Sequence, residues 1–285
     1  MQAAEARRAV AAAMSTAAEL DLAVAGAVVL SDSNRLVLRL TPCDVVARVT
    51  PVAHFASAER EVELVKRLAE TDSPVAALEA RIEPRVFVRD GFKITMWTYV
   101  EPLASHELAP TSYVRALERL HSGLRRIDVT TPHFMDRVAA IRRDVASRDV
   151  TPDLADSDRT LLGRTLRDLG RSIVDRKAPE QRLHGEPHPW NLLDTQVGPL
   201  FIDFETAAHG PVEYDLGWVP TEVSERYPNA DLMLVDECRG LVLAIIATHR
   251  WSRDDQHPSG RQSGMAFLDA LFDGPPWPGL DEVAW

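Results

Sequence analysis

The stretch Leu183-His-Gly-Glu-Pro-His-Pro-Trp-Asn-Leu-Leu193, followed by Gly198-Pro-Leu-Phe-Ile-Asp-Phe-Glu205, decides how this chain is read. Pro187 and Pro189 forbid a helix interior, so residues 184–191 are expected to form a loop. Residues 191–193 and 200–203 read as two short strands, joined by a turn that contains Gly198 and Pro199. Glu186 and Asn191 lie five positions apart, and Asn191 and Asp203 twelve. The mouth of such a hairpin would gather one carboxylate, one carboxamide and a second carboxylate.

That set suits magnesium-dependent phosphoryl transfer. One carboxylate, Glu186, orients a substrate hydroxyl; an amide oxygen, Asn191, and another carboxylate, Asp203, hold Mg²⁺ on nucleotide phosphates. On these residues the chain resembles the aminoglycoside phosphotransferase family, the small-molecule branch of the protein-kinase-like enzymes. The family's loop runs His-Gly-Asp, four residues, Asn, with Ile-Asp-Phe or Ile-Asp-Leu soon after; here Glu186 stands at the catalytic aspartate. Glutamate keeps the carboxylate on a chain one methylene longer, and a misplacement of about 1 Å can cost a hundredfold in rate. A degenerate nucleotide binder, a pseudokinase, is therefore the rival to an active enzyme.

The resemblance implies an α+β, two-lobed, protein-kinase-like fold. Residues 1–101 would form a nucleotide-binding lobe of antiparallel sheet plus helix, and residues 102–285 a mainly helical catalytic and substrate-binding lobe. The sequence pattern agrees. Residues 25–30, 35–40 and 44–50 read as strands broken by a Ser/Asn turn and by Thr41-Pro42. Residues 58–68 place Leu64, Val65 and Leu68 on one helical face. Asp90-Gly91 between residues 85–89 and 92–99 marks a hairpin. Later, residues 111–127, 156–176 and 232–251 carry apolar side chains at helical spacing, with Ser157 or Asp158 as the expected cap of the second.

The resemblance also assigns supporting residues. The third strand of such a lobe carries a lysine for the α- and β-phosphates, paired with a helix glutamate; the matching positions are Arg48 and Glu61, with Glu59 as a second choice. Arginine keeps the charge and forks well onto phosphate, but it is not equivalent to lysine. Ser33 and Asn34 lie in the turn that would cover the phosphates, and backbone groups of Thr98 and Val100 would face the purine of ATP or GTP. His184 is expected to bond loop backbone or to pack near Asp203, Asp215 to fix the loop, and His121 to be a satisfied core histidine. Glu205 reads either as a solvated turn residue or as a spare acid of the metal site.

Net charge is −11, and residues 201–285 hold 15 acids against 5 bases. That excludes nucleic acid and anionic membrane as expected partners. It suits a cationic small-molecule acceptor, an amino sugar or aminoglycoside-like antibiotic, with His188, Trp190, Glu213 and Glu222 as candidate contacts and Glu225, Asp231, Asp236 and Glu237 nearby. A neutral sugar or small metabolite is the alternative. The cluster His184, Glu186, His188, Asp203 and His209 also permits a metal-hydrolase reading, weakened because the prolines break the helix that a His-Glu-x-x-His site needs. Two cysteines, Cys43 and Cys238, suit neither a disulfide framework nor a zinc site, and a cytoplasmic setting is expected. The Ala-rich first 20 residues carry Glu5, Arg7 and Arg8 and read as a helix rather than a signal peptide.

Overall fold

A computed structural model describes residues 1, 3–32, 35–52, 57–103 and 108–283. The chain divides into two compact units. The first holds Met1–His106, Arg126–Val129 and Leu193–Glu205. The second holds Glu107–Arg125, Thr130–Leu192 and Thr206–Trp285.

The first unit is built on a five-stranded antiparallel sheet ordered β1-β2-β3-β5-β4, from β1 (Val24–Asp32), β2 (Leu36–Pro42), β3 (Val45–Pro51), β4 (Phe87–Arg89) and β5 (Phe92–Thr98). Alternation along the strands sorts the faces. Leu36, Leu38 and Leu40, Val45, Ala47 and Val49, and Phe92, Ile94 and Met96 form a core with Ala9, Ala12, Ala13 and Ala17 of α1 (Ala3–Glu19). Alanines along that face let the helix lie close on the sheet. Arg48 therefore alternates onto the opposite face, in register with Thr95. The turn between β4 and β5 has Asp90 and Gly91 both at positive φ, 50° and 85°, as a two-residue hairpin of this twist requires. Glu61 lies in the first turn of α2 (Ala58–Leu68), on the buried face with Leu64, Val65 and Leu68.

A single cut after residue 101, expected from the sequence, does not follow this division. The two short strands β7 (Leu192–Leu193) and β8 (Leu200–Phe201) pair as read, but the Asp203 segment belongs with the first unit. The reason is backbone hydrogen bonding. Ala76 N donates to Phe201 O at 3.0 Å, Phe201 N to Pro74 O at 2.8 Å, and Leu103 N to Asp194 O at 2.8 Å.

The second unit contains α3 (Pro110–Arg126), α4 (Phe134–Ala146), α5 (Asp156–Asp175), β6 (Glu180–Leu183), β9 (Ala208–Pro211), α6 (Val212–Leu216), α7 (Thr221–Arg226), α8 (Leu232–Arg250) and α9 (Gly260–Asp273). Helix α8 is apolar nearly all round, from Leu241 to Ala247, and forms the centre of a core with α4, α5 and α9. Helix α5 starts after Ala155 with no side-chain cap, so neither Ser157 nor Asp158 plays that part; Asp156 and Asp158 instead place negative charge in the first turn. Strands β6 and β9 pair antiparallel, Glu180 opposite Pro211 and Arg182 opposite His209. No helix among the described residues is long and apolar enough to cross a membrane.

Candidate active site

In the second unit the loop after β6 is held from behind. Asp215 accepts from His184 N at 2.9 Å and from Gly185 N at 2.8 Å, and His121 Nε2 lies 3.0 Å from its Oδ2. His121 is fully buried and also meets Tyr227 Oη at 2.8 Å, so it acts as the core histidine expected. Gly185 has φ +93°, and a Cβ there would fall 2.1 Å from Thr206 O; no other residue fits. His184 Nδ1 accepts from Glu186 N at 3.4 Å, a loop-backbone bond. Tyr113 Oη donates to Pro187 O, and Pro189 opens a single 3-10 turn, Pro189–Asn191.

This cradle presents Glu186 and Asn191 together. Asn191 Nδ2 donates to Glu186 O at 3.0 Å and approaches His188 Nε2 at 3.2 Å, which leaves Oδ1 without a partner among the described residues. The carboxylate of Glu186 forms an ion pair with Arg137 of α4. Burial opposes the Glu186 charge, but Arg137 and then His188 outweigh it and hold the carboxyl below the usual carboxylate range. The pairing likewise raises the Arg137 guanidinium above its ordinary value against its own burial.

In the first unit Asp203 sits at φ +69°, a left-handed conformation that is uncommon for a non-glycine residue. Arg35, which the sequence reading did not single out, is its partner. Arg35 Nη2 lies 2.5 Å from Asp203 Oδ1 and also pairs with Glu205, while Nη1 lies 3.2 Å from Glu61 Oε2. Arg48 Nη1 takes the other Glu61 oxygen at 2.7 Å, its guanidinium 4.3 Å from the Trp97 ring centre. Phe204 N donates to Glu61 Oε1 at 3.0 Å. Two arginines thus share three carboxylates. Burial opposes the charge on Glu61, but Arg48 and Arg35 hold its pKa down. Glu61, not Glu59, is the partner of Arg48; Glu59 pairs with Lys93 at 2.8 Å on the surface. Glu205 is an ion-paired, mostly buried acid rather than a solvated turn residue.

Partners within the protein already engage several of the residues expected to meet ligands. Thr98 N donates to Ala77 O at 2.9 Å and its hydroxyl to Leu78 O at 3.3 Å, so both of its donors have partners within the protein. Val100 makes no such bond among the described residues. Ser33 and Asn34 lie outside the described residues. His188 turns inward, toward Asn191 and the Trp218 ring, whereas Trp190 is 69% exposed. Glu213 is buried and accepts from Asp231 N at 3.3 Å, and Glu222 pairs with Arg226 at 2.5 Å along α7. Asp231 caps α8, Asp236 accepts from Trp277 N and Glu237 pairs with Arg176. Each of these acids already has a partner within the second unit, and Arg176 joins two of them, Asp231 and Glu237. The metal-hydrolase cluster does not form either: His209 joins His133 and Glu180 instead.

Arg137 was missed for lack of its helix, although Phe134, Val138, Ile141 and Val145 recur at helical spacing and His133 to Asp136 makes a capping box. Arg35 carried no such signal, since it follows a polar turn like any residue opening a strand.

The Phosphotransferase enzyme family matches residues 27–237. The chain belongs to that family. As a member it is a small-molecule phosphotransferase, with the kinase-like α+β fold expected from the loop motif. No curated protein sequence matches it. Among solved structures it is similar to the amicoumacin kinase hAmiN in complex with AMP-PNP, Ca²⁺ and Ami, at 12% identity and a TM-score of 0.72 over 98% of both chains. It is also similar to the GDP and kanamycin complex of APH(2")-IIia, at 15% identity and 0.65 over 91% of this chain and 95% of that one. A microcompartment-associated aminopropanol kinase matches at 16% identity and 0.64 over 90% and 93%.

Proposed function

We propose that this phosphotransferase moves the γ-phosphoryl group of ATP or GTP to a hydroxyl of a small, amine-bearing molecule. The observation that carries the reading is the locked loop: Asp215, Gly185 and Asn191 together fix the backbone that presents Glu186. Glu186 would accept a hydrogen bond from the acceptor hydroxyl. Its carboxyl, held low by Arg137, is a weak base, which suits orienting the hydroxyl and taking its proton late in a loose transition state. Arg48, set by Glu61, would pair with the nucleotide phosphates.

Asn191 Oδ1 in the second unit and the Asp203 carboxylate in the first are each hard oxygen donors of the kind that Mg²⁺ takes. Such an ion would neutralise charge on the phosphates. The amine preference rests on the net charge of −11 and on the acceptors named for similar structures, kanamycin and aminopropanol. It does not rest on the acids of residues 213–237, which are engaged elsewhere. The test is nucleotide consumption over a panel of amino alcohols, amino sugars, aminoglycosides and neutral sugars. Turnover with amines and not with neutral sugars supports the reading. Thermal stabilisation by nucleotide with no acceptor turned over would mark a nucleotide binder instead.

A further inference from the structure

We propose that His133, Glu180 and His209 form a binding site for a zinc-class ion, separate from the residues assigned to phosphoryl transfer. His133 Nε2 lies 3.2 Å from Glu180 Oε1, and His209 Nδ1 lies 3.1 Å from Glu180 Oε2. One donor atom from each of the three falls within 4.8 Å of the others. Ligands at about 2.0 Å from a tetrahedral zinc ion are themselves roughly 3.3 Å apart, so both imidazole–carboxylate separations match that spacing and the three donors together need only close from within 4.8 Å. All three side chains are about one-third to two-fifths exposed, which leaves an entry path and an open coordination position for water.

The backbone beneath the three side chains is already fixed. His209 N donates to Pro132 O at 2.7 Å, and His133 and His209 bridge in parallel. Glu180 and His209 sit on the paired strands β6 and β9. His133 is the N-cap of α4, with His133 N donating to Asp136 Oδ2 at 3.0 Å. Two imidazoles and a carboxylate select a borderline metal over Mg²⁺ or Ca²⁺, which prefer all-oxygen sites.

Binding has an identifiable cost. His133 Nδ1 accepts from Met135 N at 3.3 Å, so the neutral ring carries its proton on Nε2, toward Glu180. An ion on Nε2 moves that proton to Nδ1 and removes this long cap bond. The Asp136 half of the capping box remains.

The position gives the site a consequence. Arg137, the partner of Glu186, lies one helical turn beyond His133, and β6 runs directly into the loop that carries Glu186. An ion here would clamp the start of α4 to the strand that delivers Glu186.

The experiment uses tag-free protein titrated with ZnCl₂ by calorimetry, and with Co²⁺ by visible absorption. One equivalent should bind, with nitrogen/oxygen d–d bands, no thiolate charge-transfer band and a rise in Tm. His209→Gln and Glu180→Gln each remove a direct ligand and should weaken binding by more than the roughly 10- to 100-fold that loss of an outer-shell partner costs. His209→Gln, on an exposed side chain, should keep the metal-free Tm. Equal zinc affinity in wild type and His209→Gln, or no zinc binding by the wild type at about a hundredfold the micromolar range, overturns the site.

Discussion

Arg35 Nη2 and Asp203 Oδ1 lie 2.5 Å apart, so the carboxylate proposed to hold a metal is ion-paired to a mostly buried guanidinium. The same guanidinium serves Glu61 and Glu205. Arg35→Gln removes one positive charge from a set of three acids and two bases. Breaking a buried pair costs about 3–5 kcal/mol, and the 28% exposure of Asp203 puts the loss near the lower end, about 3 kcal/mol. Denaturant unfolding measures it; a loss below about 1 kcal/mol would mean that the cluster is not built around Arg35. Arg35 and a divalent ion would also claim the same carboxylate. The variant should therefore reach half-maximal nucleotide stabilisation at lower Mg²⁺ than wild type, read by thermal shift.

The legible parts were those with local patterns. Residues 58–68 read as a helix because the apolar spacing is regular, and the observed helix has the same limits. Asp90-Gly91 marked its hairpin because few dipeptides tolerate two positive φ angles. The Arg35–Asp203 pair was not legible, because it joins residues 168 positions apart and neither shows in any local period. The partners of the acids in residues 213–237 were not legible for a related reason. Composition counts charges but not partners, and Asp231 caps α8, Asp236 accepts from Trp277 N and Glu237 pairs with Arg176.

Glu186→Gln keeps the side-chain shape and removes the charge. Turnover of a true acceptor should fall by about 10²–10⁴ while nucleotide affinity barely changes. Wild-type turnover in this variant would assign the role elsewhere. The pH profile supplies a second check. Arg137 holds the Glu186 carboxyl low, so the ionised form persists below the ordinary carboxylate range and the acid limb of kcat lies there. Arg137→Gln removes that support and leaves a shielded carboxyl. The acid limb should move up in pH, and an unmoved limb would detach Glu186 from the rate.

Glu61 links stability to pH. Its folded-state pKa is lowered by Arg48 and Arg35 despite burial, and the unfolded value is about 4.3. A depressed carboxylate contributes stability fully above the unfolded value and loses it as pH falls through the folded one. Wild type should therefore lose stability steeply below about pH 4.3. Glu61→Gln should be less stable at neutral pH and should show a shallower acid limb. Parallel limbs for the two proteins, in denaturant midpoints against pH, would show that Glu61 is not the group being titrated.

Asp215 tests whether the loop cradle serves the reaction or only the fold. Its two oxygens accept from His184 N and Gly185 N, and the pair with His121 Nε2 completes a fully buried knot. Asparagine at this position offers one acceptor oxygen and turns an amide donor toward a backbone N–H, so at least one buried N–H loses its partner. That costs about 1–3 kcal/mol, and stability should fall accordingly. If the cradle positions Glu186, turnover should fall further than the unfolded fraction explains, by about a hundredfold for a displacement of about 1 Å. Because Asp215 touches no reacting atom in this scheme, the pH dependence of kcat should keep its shape, unlike that of Arg137→Gln. Asp215→Asn with reduced stability but full turnover per folded molecule would confine Asp215 to the fold. A changed acid limb would make it part of the titrating group rather than its support.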